Sequence, residues 1–396
     1  MKIIDSYLNE FRFEKIQSET RMSCLRIHLI RCIKTAIVLV LTTVFVTAPF
    51  VNCTAIEKRM LLNEIGSIDT NGEAMNVVLN GEVAFVLDTA DNNPGGLVII
   101  DVSDPTNPVK LASFYDGGEP KELAIKDDLV FVADGTDGLE ILNISDLENP
   151  YEIYQYPVNQ FSSDVEVIDN LLFAANWDLG FEIFNITNPN SPVKITQYND
   201  NSLNCVQLDI KGDIACISDH RNDYTSLRIL NISNPNSPQL LSTFLPANVD
   251  FWDPKIYGNH IYVGNHQLNA GELQVLDITD PTSIMKVGEF DDGGSIYSIN
   301  FNNSLGFVAD YDDGVEVLDI KNPTNPIEIG EYYDGGHAKE IVVKDNLLFV
   351  ADRDDGLEIL QAEISTDAVP GFKFQIILFS FPLIVFLYVK RNRSKE

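Results

Sequence analysis

A unit of about 44 residues recurs along the middle of this chain, and that period limits the fold more than any other feature. An apolar segment ending near Asp or Asn starts at Val83 (VAFVLD), Leu129 (LVFVAD), Leu171 (LLFAAN), Ile214 (IACISD), Ile261 (IYVGNH), Leu305 (LGFVAD) and Leu347 (LLFVAD). A second apolar segment trails each of them, from GLVIIDVS in the first unit to GLEILQAE in the last. Next comes a turn such as SDPTNP (Ser103 to Pro108) or NPTNP (Asn322 to Pro326). In such turns Asp or Asn bonds the backbone two residues on, and proline fixes φ. A more polar strand (KLASFY from Lys110) and a short one (ELAIK from Glu122) complete the unit.

Four short antiparallel strands per repeat at this period is the arithmetic of a β-propeller. The middle strands are continuous apolar runs, which suits sheets buried on both faces. The outermost strand alternates, as a rim strand half in water does. The expected fold is therefore all-β: a seven-bladed propeller of four-stranded antiparallel blades over 61–364. Leu61 to Ser67 reads as a fourth strand without a blade, and Gly356 to Glu363 as a third strand without a successor. The N-terminal strand is expected to complete the last blade, which removes two open edges. A solenoid, the structural rival, would want capping repeats.

Composition narrows the function. Asp+Glu number 59 against 27 Lys+Arg, a formal charge of −32. No nucleic-acid partner is expected, because phosphate contacts need a basic face. A hydrophobic share of 45% excludes an acidic disordered chain, and five cysteines do not make a disulfide scaffold. Cys205 and Cys216 fall on adjacent strands in diagonal register and are expected as buried free thiols.

Both flanks read as membrane signals. Arg21, Arg26, Arg31 and Lys34 precede an apolar run from Thr35 to Val51, then a small-residue ending at Ala55. Residues 1–55 are thus expected to be a signal peptide, or an uncleaved signal anchor, with Met22 a possible alternative start. After a linker, 365–373, the apolar run 374–389 is expected as a transmembrane helix. A basic tail, 390–396, follows and favours the cytoplasmic side. The propeller would then stand on the extracellular face of the cell membrane.

The GLxIxDxSDPxNP and FVADxxDG signatures resemble the LVIVD repeat family, whose repeats form propellers in bacterial and archaeal surface proteins. Gly96 to Asp101 reads GLVIID. The tail, with Pro370-Gly371-Phe372 before an apolar segment and a basic cluster, resembles the archaeal PGF-CTERM sorting signal. These resemblances imply fold and location, and they supply no reaction.

In an up-down meander the turns after the second strand and the loops entering each blade share one face. That face carries Asp134, Asp137, Asp310, Asp313, Asp352 and Asp355. Carboxylates on loops could hold Ca²⁺; equally, tight hairpins need Asp and Gly. At the channel mouth sit Lys121, Glu122, Asp164, Trp252, Asp253, Tyr297, His337, Lys339 and Glu340, a mix suited to a glycan or a protein partner. The leading reading is a membrane-anchored binding, adhesion or scaffold module without enzymatic activity. The alternative is an extracellular hydrolase-like enzyme pairing His337 with Glu340 or Asp253 as acid and base. No G-x-S-x-G, Walker loop or H-E-x-x-H is present. Sequons occur at Asn143, Asn185, Asn231 and Asn302. The first three share one repeat position and suggest turn bonding. Asn302, expected in a loop, is the better glycosylation candidate.

Overall fold

The computed structural model describes residues 59–365 apart from 91–92, 157–160, 201–202, 222–223, 246–250, 266–271 and 292, together with 372–377 and 386–391. A single strand, β1 (Arg59–Ile68), comes first. Blade 1 is β2 (Glu73–Asn80), β3 (Val83–Ala90), β4 (Asn93–Asp101) and β5 (Val109–Tyr115). Blade 2 is β6 (Glu122–Lys126), β7 (Leu129–Asp134), β8 (Gly138–Asn143) and β9 (Tyr151–Tyr156). Blade 3 is β10 (Asp164–Ile168), β11 (Leu171–Asn176), β12 (Gly180–Asn185) and β13 (Val193–Tyr198). Blade 4 is β14 (Cys205–Lys211), β15 (Ile214–Arg221), β16 (Tyr224–Asn231) and β17 (Gln239–Phe244). Blade 5 is β18 (Phe251–Tyr257), β19 (His260–Asn265), β20 (Glu272–Asp277) and β21 (Met285–Asp291). Blade 6 is β22 (Ser298–Asn302), β23 (Leu305–Asp310), β24 (Gly314–Asp319) and β25 (Ile327–Tyr332). Blade 7 is β26 (Glu340–Lys344), β27 (Leu347–Asp352) and β28 (Gly356–Ser365), and β1 is its fourth strand.

The ring closes as the sequence predicts. β1 runs antiparallel to β28, with Leu61 opposite Glu363 and Leu62 opposite Ala362. In all seven blades the ladder between third and fourth strands skips one fourth-strand residue. The skipped residue is Leu111, Ile153, Ile195, Leu241, Val287, Ile329 or, in β1, Ile65, and each packs against an apolar core. A bulge points an extra aliphatic side chain inward and bends the rim strand. Because β1 carries the same bulge, it is a true fourth strand.

The core lies between the blades. Seven apolar clusters each draw on two successive blades, and one joins Val86 and Val98 of blade 1 to Phe349 and Leu357 of blade 7. Successive side chains on a strand point to opposite faces. Leu348 and Val350 therefore enter the cluster with blade 6, while Phe349 and Ala351 enter the one with blade 1. This explains the continuous apolar runs of the middle strands. Cys205 and Cys216 are both buried free thiols, opposite Asp219 and Asp209 respectively and in different clusters.

The recurrent turn also behaves as expected. Asp101, Asn143, Asn185, Asn231, Asp277 and Asp319 each accept, on Oδ1, the backbone N–H two residues on. Asn302 needs a correction of place. It ends β22 rather than sitting in a loop, and its Nδ2 donates to the Asp345 carbonyl at 2.7 Å.

Residues 56–367 form one compact unit. In the other, Phe372–Ile377 pairs antiparallel with Phe386–Arg391. The leader 1–55, the linker motif at 370–371, the middle of the expected membrane segment (378–385) and the tail end 392–396 lie outside the described residues. Among the described residues no helix is long and apolar enough to cross a membrane.

Candidate functional site

Each second strand carries a polar residue at or near its end: Asp88, Asp134, Asn176, Asp219, Asn265, Asp310 and Asp352, all buried. In blades 4, 6 and 7 this carboxylate holds the loop that enters the blade. Asp219 Oδ1 accepts the Asn204 N–H at 2.8 Å, Asp310 accepts that of Ser295, and Asp352 that of His337. The Asp-Gly-Gly entry loops are built around this carboxylate. At Gly335 φ is +111°, and a Cβ on Gly336 would lie 2.3 Å from Asp352 Oδ1. The turns after the second strands are in turn bridged to the next blade, as Gly135 to Ser162, Trp177 to Cys205, Tyr311 to Ala338 and Arg353 to Ala74.

This framework presents a collar of rings at the channel mouth. His220 packs on Trp252 at 5.7 Å between centroids, Trp252 on Tyr297 at 6.3 Å, Tyr297 on Tyr311 at 5.0 Å and Tyr311 on His337 at 4.6 Å. A second group sits at blade 3, where Phe161 lies 4.8 Å from Trp177 and Lys121 Nζ lies 5.4 Å from the Phe161 ring. Lys339 Nζ stands 3.4 Å from the Tyr297 centroid and 4.8 Å from that of Tyr311. Burial and the nearby Arg353 charge lower Lys339 to about 7. Arg353 is itself held by Glu73 and the Tyr311 hydroxyl. His337 lies between Asp354, 3.1 Å from Nδ1, and Asp312, 3.4 Å from Nε2.

Backbone strain marks two of these rings. Trp177 and Tyr311 have φ of +34° and +25°. They occupy the turn position that blade 2 gives to Gly135. A side chain in this region costs about 1–3 kcal/mol, and such residues cluster where a surface is shaped for use.

One residue deeper, the innermost strands form a ring of carboxylates about Lys255. Asn76 Nδ2 donates to both carboxylate oxygens of Glu122 at 2.8 Å, and Asp164 accepts the Leu208 N–H at 2.7 Å. Glu166 and Asp209 likewise accept backbone N–H groups of the following blade. Ser298 Oγ donates to Glu340 at 2.6 Å, and Lys255 Nζ lies 2.9 Å from Asp253. Burial and then the Asp164 charge push Glu122 up to about 8. Burial and then Asp253 do the same to Glu340, also to about 8. Burial raises Asp164 to about 7. Burial works against the Lys255 ammonium too, but Asp253, Glu340, Asp209 and Glu122 outweigh it and hold its pKa well above the usual lysine value.

The nine mouth residues expected from the sequence thus separate. Lys121, Trp252, Tyr297, His337 and Lys339 join the collar, while Glu122, Asp164, Asp253 and Glu340 join the ring beneath. The expected acid–base pair is not brought together: the carboxylates against His337 are Asp354 and Asp312, and Glu340 and Asp253 serve Ser298 and Lys255. Sequence reasoning missed Phe161, Trp177, His220, Tyr311 and Arg353. For all but Phe161 the available signal was an aromatic or basic residue directly after the buried Asp or Asn, as in Asn176-Trp177, Asp219-His220, Asp310-Tyr311 and Asp352-Arg353.

The six acidic residues expected to bind Ca²⁺ also divide. Asp134 groups with Asp116 and Glu140, and Asp355 with Asp334 and Glu358, each group offering one oxygen per residue within 4.8 Å. Asp137, Asp310, Asp313 and Asp352 belong to neither group. The N–H of Asp137 and of Asp313, like that of Asp355, closes a tight turn on the carbonyl three residues back.

A closed seven-bladed propeller with a ringed mouth is the class of molecule these features define. The LVIVD repeat model matches residues 71–116, 117–158, 161–200, 205–245, 250–292, 300–334 and 335–376. The chain therefore belongs to the LVIVD repeat family. Its fold is similar to the Myceliophteria thermophila Cps50 (Swd1) β-propeller domain, with a TM-score of 0.59 at 12% identity, over 77% of this chain and 99% of that one. It is also similar to the computationally designed Ika8 protein, with a TM-score of 0.54 at 11% identity, over 75% and 99%. No curated protein matches the chain.

Proposed function

We propose that this propeller is a binding module displayed on the outer face of a cell membrane, and that a glycan seats on the collar at the channel mouth. The observation that carries the reading is the pair of strained rings, Trp177 and Tyr311, held in turns where glycine would cost less. Aromatic faces stack on the apolar faces of sugar rings. Lys339, Arg353 and His337 stand beside Tyr311 as hydrogen-bond donors. The apolar, positively flanked terminal segments support the surface location.

Tyr311→Gly tests the site directly. The variant relieves an unfavourable φ, so its unfolding free energy should stay within about 1 kcal/mol of wild type. Glycan-array binding by the full-length chain should fall at least tenfold. If the array signal is absent in wild type, or unchanged in Tyr311→Gly, the collar is not the glycan site.

A second reading, hydrolysis at the same mouth, draws on Lys339, whose amine is lowered to about 7. Such a group could take a proton near neutral pH. Turnover of ester, lactone or glycoside substrates that Lys339→Met abolishes would favour it over simple binding.

A further inference from the structure

The bulged ladders fix equivalent positions in every blade. On the fourth strand, the residue just before the bulge is Lys110, Glu152, Lys194, Leu240, Lys286, Glu328 and Glu64 in blades 1 to 7. On the third strand, two residues before its partner, stand Val98, Glu140, Glu182, Arg228, Gln274, Glu316 and Glu358. Blades 1, 3, 4 and 5 therefore carry a basic side chain at one of the two positions. In blade 3, Lys194 Nζ bonds Glu182, and in blade 4 the guanidinium of Arg228 bridges Asp219 and Asp200. Blades 2, 6 and 7 carry glutamate at both positions. They are also the three blades entered through Asp-Gly-Gly, at Asp116, Asp292 and Asp334.

In two of these blades the acidic groups converge. Asp116, Asp134 and Glu140 in blade 2, and Asp334, Asp355 and Glu358 in blade 7, each bring three carboxylate oxygens within 4.8 Å. Asp134 is 2% exposed and Glu358 3%, and buried oxygens on both (Asp134 Oδ1, Glu358 Oε2) have no hydrogen-bond partner. Burying such an oxygen unpaired is costly. Ca²⁺ binds oxygens at about 2.3–2.6 Å, so its ligand atoms lie at most about 5 Å apart.

We propose that blades 2 and 7 each hold one Ca²⁺-sized divalent cation, bound by Asp116, Asp134 and Glu140 and by Asp334, Asp355 and Glu358. The ion does there what the Lys194 ammonium and the Arg228 guanidinium do in blades 3 and 4. It neutralises the buried carboxylates, as both cations do, and like Arg228 it ties the entry loop to the third strand. Water completes the coordination, and Glu152 and Glu64 add negative charge at the rim. Without the ion, burial and hydrogen bonds to Asp116 and Asp334 push Glu140 and Glu358 up to about 9. These sites share no residue with the collar, so they stand or fall separately from the glycan reading.

The test is equilibrium dialysis of the full-length chain in detergent against Ca²⁺, with melting curves in Ca²⁺ and in EDTA. Wild type should bind at least two equivalents and melt higher in Ca²⁺. Glu152→Lys copies the blade 3 arrangement into blade 2 and should remove one equivalent while raising the melting temperature in EDTA. Glu64→Lys should do the same in blade 7, and the double variant should lose both. Should a lysine variant not fold, the isosteric Glu140→Gln and Glu358→Gln each remove one equivalent. Absence of bound Ca²⁺ in wild type, or wild-type stoichiometry in every one of these variants, would overturn the proposal, the latter showing diffuse binding to an acidic surface.

Discussion

A residue's use in this molecule changes within one step along the chain. A buried Asp or Asn lies at or near the end of every second strand. In four blades the residue after it reaches the mouth instead, as Trp177, His220, Tyr311 or Arg353. From the sequence, Asp134, Asp310 and Asp352 look like surface acids in a turn. Their burial depends on a missing Cβ in another loop, which no local pattern reports. Gly336→Ala makes the point measurable. The new Cβ would meet Asp352 Oδ1 at 2.3 Å, so the variant should lose about 2–4 kcal/mol in urea unfolding. Gly81 has φ of +64° and nothing within 4 Å, so Gly81→Ala should cost only about 1–2 kcal/mol. Equal losses would mean that the entry loop yields and the carboxylate does not hold it.

At the level of strands, β1 decides whether the ring stays shut. Its role was legible because turn chemistry and apolar runs give each strand type a recognisable form, and a fourth strand without a blade stood out at one end. The bulge was not read, although the skipped residue is aliphatic in all seven blades. It differs from its neighbours in pairing, and pairing is not written in a single strand. β1 is also the one fourth strand that reaches its blade from the far end of the domain, so the β1–β28 ladder closes nearly the whole propeller into a loop. Leu61 and Glu363 face each other there and are exposed. Replacing both with cysteine (Leu61→Cys, Glu363→Cys) should give a bond that stabilises the oxidised form by up to about 5 kcal/mol over the reduced one, since long loops lose the most chain entropy. Urea midpoints with and without reductant read this. Identical midpoints would place the first opening elsewhere in the ring.

For the whole molecule, seven inter-blade cores set the frame, and the channel they surround gathers charge from nearly every blade. The sequence put ionisable residues at the mouth but could not sort collar from ring. Lys121 and Glu122, Trp252 and Asp253, and Lys339 and Glu340 are chain neighbours that the strand pleat sends different ways. Lys255, Glu166 and Asp209 were missed because each is one polar residue within a short inner strand. The ring should make stability depend on pH. Glu122 and Glu340 are raised to about 8, Asp164 to about 7 and Asp209 to about 6, with Asp253 and Glu166 raised as well. In the unfolded chain such groups titrate near 4. Between about pH 4 and 8 the folded state therefore holds more protons than the unfolded one, and stability falls as pH rises through this window. Lys255 stays charged throughout and offsets part of the repulsion. Melting curves in EDTA should show a lower midpoint at pH 8 than at pH 5.5, and Glu122→Gln with Glu340→Gln, which removes two of the titrating groups while keeping their shape, should flatten the slope. A midpoint that rises over that range, or a slope the double variant leaves unchanged, would mean that the channel carboxylates are ionised in the folded protein and that Lys255 and the backbone N–H groups are enough to hold them.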